Sequence, residues 1–381
     1  MATTTTTGRS LLLRHEEVVH RGIDHLFGAI TSLFGSATFF SHGFGADCQY
    51  WCNTVSKWQA AAAQSAADIY SIQTIHWIQI QNNYSSLLQN FTKKNHSKDR
   101  LIEGEFRSPL ADFLPEESQN ARFLMTCPSD SIDGSTPFVL FLAGTGEHSY
   151  TTRFHSLALP LLREGIGSII LENSYYGRRR PANQFGAKLR VVSDLLALGL
   201  STVEEARAIL MWLHKQGVRK LCVAGVSQGG LHAAMTVSSV PFGVSVVSAF
   251  APESAEYVFS DGVLSRNLNW KSLAKSRQHS LKLTNEDIPQ LRLNEAEDLV
   301  STKQALRDIL RQTDIRRFPL PKQPQQSILI AGDSDQYVSP SSVKHWTEHW
   351  PWLDVRWTRA GHVSGILFKS KTIRNAITDT F

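Results

Sequence analysis

Ser227 stands between two glycines in "GVSQG" (Gly225 to Gly229), directly after the apolar run Lys220–Gly225 and directly before a helix-like stretch. A serine on a sharp strand-to-helix turn is set up to attack an acyl carbonyl. Small neighbours permit the strained backbone, and the N–H groups of the following helix face a developing anion. A serine hydroxyl at its free pKa is a poor nucleophile, so this chemistry needs a base. Fourteen histidines compete for that role. His362 in "RAGHVSG" is the best placed, because it follows the strand-like Asp354–Arg359 and precedes a terminal helical pattern. A carboxylate must then orient the imidazole. "AGDSDQYVSP" follows the apolar "SILI" and offers Asp333 and Asp335. Asp335 is the choice, since Asp333 lies nearer the strand end and can cap the turn. Glu253, after the preceding strand, is the fallback.

The tetrahedral intermediate of acyl transfer needs N–H donors for its oxyanion. One is expected from the backbone of Gln228, the residue after the serine. The second is expected from "LAGTGEH" (Leu142 to His148), with Thr145 first and Gly146 next. "ENSYYGRRRP" begins at the end of another strand and so borders the same site. Arg178, Arg179 and Arg180 are candidates for drawing in an anionic headgroup or phosphate, and Tyr176 for a substrate wall. The competing reading is a solvated charge run paired with nearby acids, with Tyr175 and Tyr176 in the core.

These residues need a scaffold that brings distant turns to one edge. Pro137–Gly144, Gly167–Asn173, Lys220–Gly225, Gly243–Phe250 and Ser327–Asp333 are short continuous apolar runs, the pattern of strands covered on both faces. Helical patterns separate them. Ser201 and Glu204 have the spacing of a capping box opening "TVEEARAILMWLHKQG", and Gly217 stops it. The fold class is therefore α/β, a mostly parallel doubly wound sheet. Residues 253–326, rich in charge and short helical patterns, interrupt the alternation and read as a helical cap over the sheet's carboxyl edge. The expected division is a terminal segment at 1–22, an N-terminal helical extension at 23–130, core at 131–252, cap at 253–326 and core again at 327–381.

Composition limits the alternatives. The chain has 381 residues, 42% apolar and 19% charged, with a formal net charge of +5, which is ordinary globular composition. No basic block interleaved with aromatics points to nucleic acid. Four scattered cysteines give neither a disulfide framework nor a zinc site, and "HEEVVH" (His15 to His20) has Val19 where a zincin motif needs its second histidine. No metal or organic cofactor is expected. The first residues are Ser/Thr-rich, with Arg9 and Arg14 and no acid before Glu16, a composition shared by transit peptides and by unstructured ends. From Leu26 to Ala46 no charge occurs, which reads as a buried helix or a membrane-surface contact.

Six motifs in order, "LAGTGEHSY", "IILENSYYGRRRP", "GVSQGG", "VLSRNLNW", "DSDQYVSP" and "GHVSGILFK", resemble the alpha/beta hydrolase domain-containing protein 18 family. The resemblance extends upstream through "LIEGEFRSPLADFLPEESQNARFLMTCP" and more weakly to "IDHLFGAITSLF". It implies an α/β-hydrolase fold, a Ser227–Asp335–His362 triad, and hydrolysis of lipid or phospholipid esters in association with mitochondria. Two departures stand out: Gln228 where members often carry Met, and a shorter insertion before Asp335 than in animal members. The first leaves the backbone N–H in place; the second means that cap-dependent substrate choice does not transfer. The leading expectation is a serine hydrolase acting on carboxylic esters. The same triad suits an acyltransferase, thioesterase or peptidase, and a binding protein on a hydrolase fold is the alternative of another class.

Overall fold

Runs too apolar to be left in water on either face must be sandwiched, and the structure does so in one nine-stranded sheet. The computed structural model describes residues 17–26, 38–64, 72–78, 91, 99–129, 132, 134–280 and 295–381. The strands are β1 (His76–Ile78), β2 (Arg100–Arg107), β3 (Asn120–Cys127), β4 (Phe138–Leu142), β5 (Gly167–Glu172), β6 (Leu221–Val226), β7 (Val244–Ala249), β8 (Pro324–Gly332) and β9 (Asp354–Thr358). Their spatial order is β1-β2-β3-β5-β4-β6-β7-β8-β9. From β5 to β9 every pairing is parallel, and every residue of β4, β5 and β7 is buried. Parallel strands need crossovers, so helices cover both faces.

The helices carrying this argument are α1 (Cys48–Gln64), α2 (Val192–Lys215), α3 (Gln228–Val237), α4 (Ala255–Ser260), α5 (Trp270–Ser280), α6 (Glu295–Leu310), α7 (Pro340–His349), α8 (His362–Phe368) and α9 (Ser370–Thr378). On one face Val203 and Leu210 of α2, Leu231 of α3 and Trp346 of α7 pack against the sheet. On the other face lie Phe154, Leu161, Ile373 and Ile377. A third cluster joins α1, the first half of α2, α4 and the inner side of α6.

Three expectations change. The region before residue 130 is more than a helical extension, since β1, β2 and β3 add antiparallel strands to the sheet edge. Their pattern was obscured by charge: β2 carries Arg100, Glu103, Glu105 and Arg107, and Arg122 of β3 bonds Glu105 across the pair at 3.1 Å. Charge of this kind is usual near a sheet edge. Second, Ser201 and Glu204 do not open a helix. α2 begins upstream at Val192, because "VSDLLALGL" continues the helical apolar face; Ser201 Oγ bonds back to Leu198 O at 3.1 Å. Glu204 accepts from Trp58 and Arg207, and the helix start is held by Asp194, which accepts the Val191 N–H at 3.3 Å. Third, residues 38–46 of the uncharged Leu26–Ala46 run are largely buried, in keeping with one of its two readings, but as turns and not as a helix. Phe39, Phe40 and Phe44 are buried, with Phe39 edge-on to Phe259 of α4 at 5.6 Å. Residues 27–37 of that run lie outside the described residues, as do residues 1–16 and most of Gln79–Asp99. Among the described residues no helix is long and apolar enough to cross a membrane.

Candidate active site

The carboxyl ends of β4, β6, β7, β8 and β9 lie along one edge, where a parallel sheet presents its functional turns. β6 ends at Val226, and Ser227 follows with φ +55° and ψ −123°, a conformation L residues rarely adopt. The turn is held by Ser227 N–H donating to Ala249 O at 2.8 Å and by Gly230 N–H donating back to Ser227 O at 2.9 Å. Space dictates its glycines. A Cβ on Gly225 would stand 2.3 Å from the Gly229 carbonyl carbon, and one on Gly229 would stand 2.4 Å from Leu142 O. Either would force backbone apart.

β8 leads into Asp335 and β9 into His362, the first residue of α8. The His362 Nδ1–H donates to Asp335 Oδ2 at 2.8 Å, which leaves Nε2 to accept from Ser227 Oγ at 3.0 Å. Asp335 is itself fixed, its Oδ1 accepting the N–H groups of Tyr337 at 2.8 Å and Val338 at 2.9 Å. The imidazole is buried, stacked on the Tyr337 ring at 4.7 Å with Phe250 edge-on at 6.4 Å, while Ser227 remains half-buried and reachable. Burial alone would pull the imidazole pKa down. The Asp335 carboxylate, with Asp24 adding to it, outweighs that penalty and holds the pKa above its ordinary value.

The other two acids are occupied elsewhere. Asp333 Oδ1 accepts from Ser334 Oγ at 2.9 Å and Ala360 N–H at 3.3 Å, closing the turn as its position suggested. Glu253 pairs with His345 at 3.1 Å. Thr145 and Gln228 sit beside Ser227 on one cavity wall, and Thr145 Oγ1 donates to Gln228 Oε1 at 3.0 Å. Gly146 is absent from that wall. With φ +78° it makes the turn behind Thr145, its Cα facing Ala187.

The arginine triplet needs correcting. Arg179 is fully buried, and its guanidinium takes Glu205 bidentately at 2.6 and 2.8 Å while donating to the carbonyls of Glu172 and Ser118. No substrate group can reach it. Arg178 is held by Glu103 and lies over the Tyr150 ring at 5.9 Å; Arg180 is exposed. Tyr176 is also core, wholly buried and edge-on to His148 at 5.4 Å, and burial raises its phenol pKa. None of the four lines the cavity. For Arg179, bidentate pairing with the buried Glu205 and bonds to two carbonyls offset the cost of desolvating its charge.

Sequence reasoning missed the cavity itself. It encloses about 720 Å³ including its open mouth and runs from Ser227 between α2, α3 and α4. Its walls are apolar: Leu195, Leu196 and Leu200 from α2, Leu231 and Met235 from α3, and Phe259 from α4. Trp58 of α1 and Phe318 complete it. Residues of the 253–326 segment thus stand beside Ser227, although α5 and α6 lie farther out. His232 on α3 is a titratable group on that wall; burial lowers its pKa to about 4, so the ring is neutral near pH 7, and its Nδ1 has no hydrogen-bond partner. Leu195, Leu196 and Leu200 precede the helix start expected at Ser201, and nothing in their spacing says that they face a void. Asp24 was also missed, and its carboxylate accepts from the backbone of both the Asp335 and His362 loops. Among the described residues no cluster of His, Cys, Asp or Glu could hold a metal ion.

The family model described as "Alpha/beta hydrolase domain containing 18" matches residues 37–381. Among solved structures, the chain is similar to an acetyl xylan esterase from Paenibacillus sp. R4, with a TM-score of 0.54 and 13% identity, over 89% of this chain and 96% of that one. It is also similar to acetyl xylan esterase 1 from Thermoanaerobacterium sp. JW/SL YS485, with a TM-score of 0.50 and 13% identity, over 90% of this chain and 96% of that one. At that identity the likeness establishes the shared fold.

Proposed function

This chain belongs to the alpha/beta hydrolase domain containing 18 family, and we propose that it is a serine hydrolase cleaving carboxylic esters, with lipid or phospholipid acyl esters as the substrate class. The observation carrying this reading is the unbroken hydrogen-bond line from Ser227 Oγ through His362 to Asp335. In the first step Ser227 Oγ attacks the acyl carbonyl carbon as its proton passes to His362 Nε2. Asp335 steadies the imidazolium and keeps Nδ1 the protonated nitrogen. The backbone N–H groups of Gln228 and Thr145 are the proposed donors to the oxyanion. The C–O bond to the alcohol then breaks, His362 returning the proton to the departing oxygen. Water repeats the sequence on the acyl-enzyme, releasing the acid and regenerating Ser227.

The cavity supports the choice of acyl group. A slot walled by leucine, methionine and phenylalanine beside the nucleophile favours an aliphatic chain, because each buried methylene contributes about 0.8 kcal/mol. The burial of Arg179 and the pairing of Arg178 and Arg179 with Glu103 and Glu205 lend no support to selection by an anionic headgroup.

The experiment uses a fluorophosphonate probe and a series of p-nitrophenyl esters from acetate to laurate. Ser227→Ala is expected to abolish labelling, and kcat/KM to rise with acyl length until the cavity is filled. Undiminished labelling of Ser227→Ala removes the nucleophile; a steady fall from acetate onward removes the acyl-slot reading.

A further inference from the structure

Asp24 lies far from the triad in sequence, in a helical segment at 17–26, yet it is fully buried against it. Its Oδ2 accepts the His362 N–H at 2.8 Å and the Gln336 N–H at 3.1 Å, and its Oδ1 accepts the Val363 N–H at 2.8 Å. Gln336 is the neighbour of Asp335. One carboxylate therefore ties together the backbones of the two loops whose side chains make the Asp335–His362 hydrogen bond. Gly361 is shaped around it: a Cβ there would stand 2.7 Å from Asp24 Oδ2. Three backbone donors on one buried carboxylate form a strong, charge-assisted anchor.

We propose that Asp24 is a positioning residue for the proposed hydrolase site, clamping the loops of Asp335 and His362 in register so that the 17–26 segment is a working part of the active centre. The proposal rests on the serine-hydrolase reading. Asp24 touches no reacting atom; it acts by placement and by charge. Placement matters because a displacement of about 1 Å in a catalytic group lowers rate by about 100-fold. As for charge, Asp335, Tyr337, Phe250 and Ser227 also face His362, and among the described residues Asp335 and Asp24 are the carboxylates that act on it.

The test is Asp24→Asn in the full chain. The amide can accept through one oxygen only, and its nitrogen would face a backbone N–H, donor against donor. Expected is a kcat lower by about 10- to 100-fold with KM little changed, and an acid limb of kcat/KM moved to lower pH. A merely structural role would change melting temperature and leave the acid limb in place. The second variant, Gly361→Ala, pushes on the carboxylate from the other side without altering its charge. It is expected to lower kcat, and the Asp24→Ala/Gly361→Ala pair to lose less than the two single effects combined, since the new methyl then has room. Wild-type kcat and acid limb in folded Asp24→Asn overturn the clamp. If that variant fails to fold, wild-type kcat in Gly361→Ala overturns it instead. Ser227→Ala separates the two levels: continued labelling there sinks the hydrolase reading itself, whereas a silent Ser227→Ala beside an unaffected Asp24→Asn sinks only the clamp.

Discussion

At His362 the tautomer is set from both sides. Asp335 accepts at Nδ1, which leaves Nε2 as the acceptor for the Ser227 hydroxyl. An asparagine at 335 could present its amide nitrogen to Nδ1 and reverse that arrangement. Asp335→Asn is therefore expected to lower kcat by about 10³- to 10⁴-fold. The same substitution removes the main influence raising the imidazole pKa. His362 must be neutral to act as a base, so the wild-type rate should fall as pH drops through a value above about 6.5, and the mutant's fall should begin at lower pH. A kcat/KM profile against pH on a soluble ester reads both effects. At this scale the sequence conveyed residue types well, while partners were another matter. Asp333 and Asp335 stand two apart in one loop; distance from the strand end favoured Asp335 as the histidine partner, and Glu253, on another loop, remained the fallback.

The β6–Ser227–α3 element was legible because its constraints are local. A strand, a left-handed serine and a helix leave no room for side chains at 225 and 229, so the glycines themselves announce the turn. Gly225→Ala places a methyl against Gly229 backbone and is expected to cost about 1–3 kcal/mol, together with displacement of Ser227. Gly165→Ala is the comparison. That residue also has a positive φ, +79°, with nothing within 4 Å of a new Cβ, so only backbone strain of about 1–2 kcal/mol applies. Thermal melts should rank Gly225→Ala below Gly165→Ala, and only the former should lose probe labelling. α2 shows where local reading stopped. Ser201 and Glu204 have the spacing of a cap, yet apolar residues from Val192 onward have a core to pack against, and tertiary burial extends the helix through the capping signal.

Across the whole molecule, two buried histidines tie stability to pH with opposite signs. His232 has its pKa lowered to about 4 by burial, so the unfolded chain binds that proton more readily than the folded one. Its contribution is present above about 6.5 and is lost as pH falls toward 4, by roughly 3 kcal/mol at most. For His362, with its pKa raised, the contribution is present below about 6.5 and is lost as pH rises through the higher folded value. Asp194, whose carboxyl burial raises to about 6, acts in the opposite sense over the same window, so the loss due to His232 is read as the difference between wild type and His232→Leu in denaturation from pH 7 to pH 4. His232→Leu should lose less stability than wild type on acidification; an identical pH dependence would mean that the ring is not held neutral.

The buried strands from residue 137 onward, the serine turn, the histidine after the last strand and the acid-bearing loop before it could be read from the chain alone. Each depends on periodicity or on steric demands among close neighbours. The spatial order of the strands, the inward folding of Arg179 onto Glu205, the void beside Ser227 and the arrival of Asp24 at the His362 loop were decided by tertiary structure. These are pairings between groups that packing alone brings within a few ångströms. No spacing in the sequence records which buried charge will find which partner.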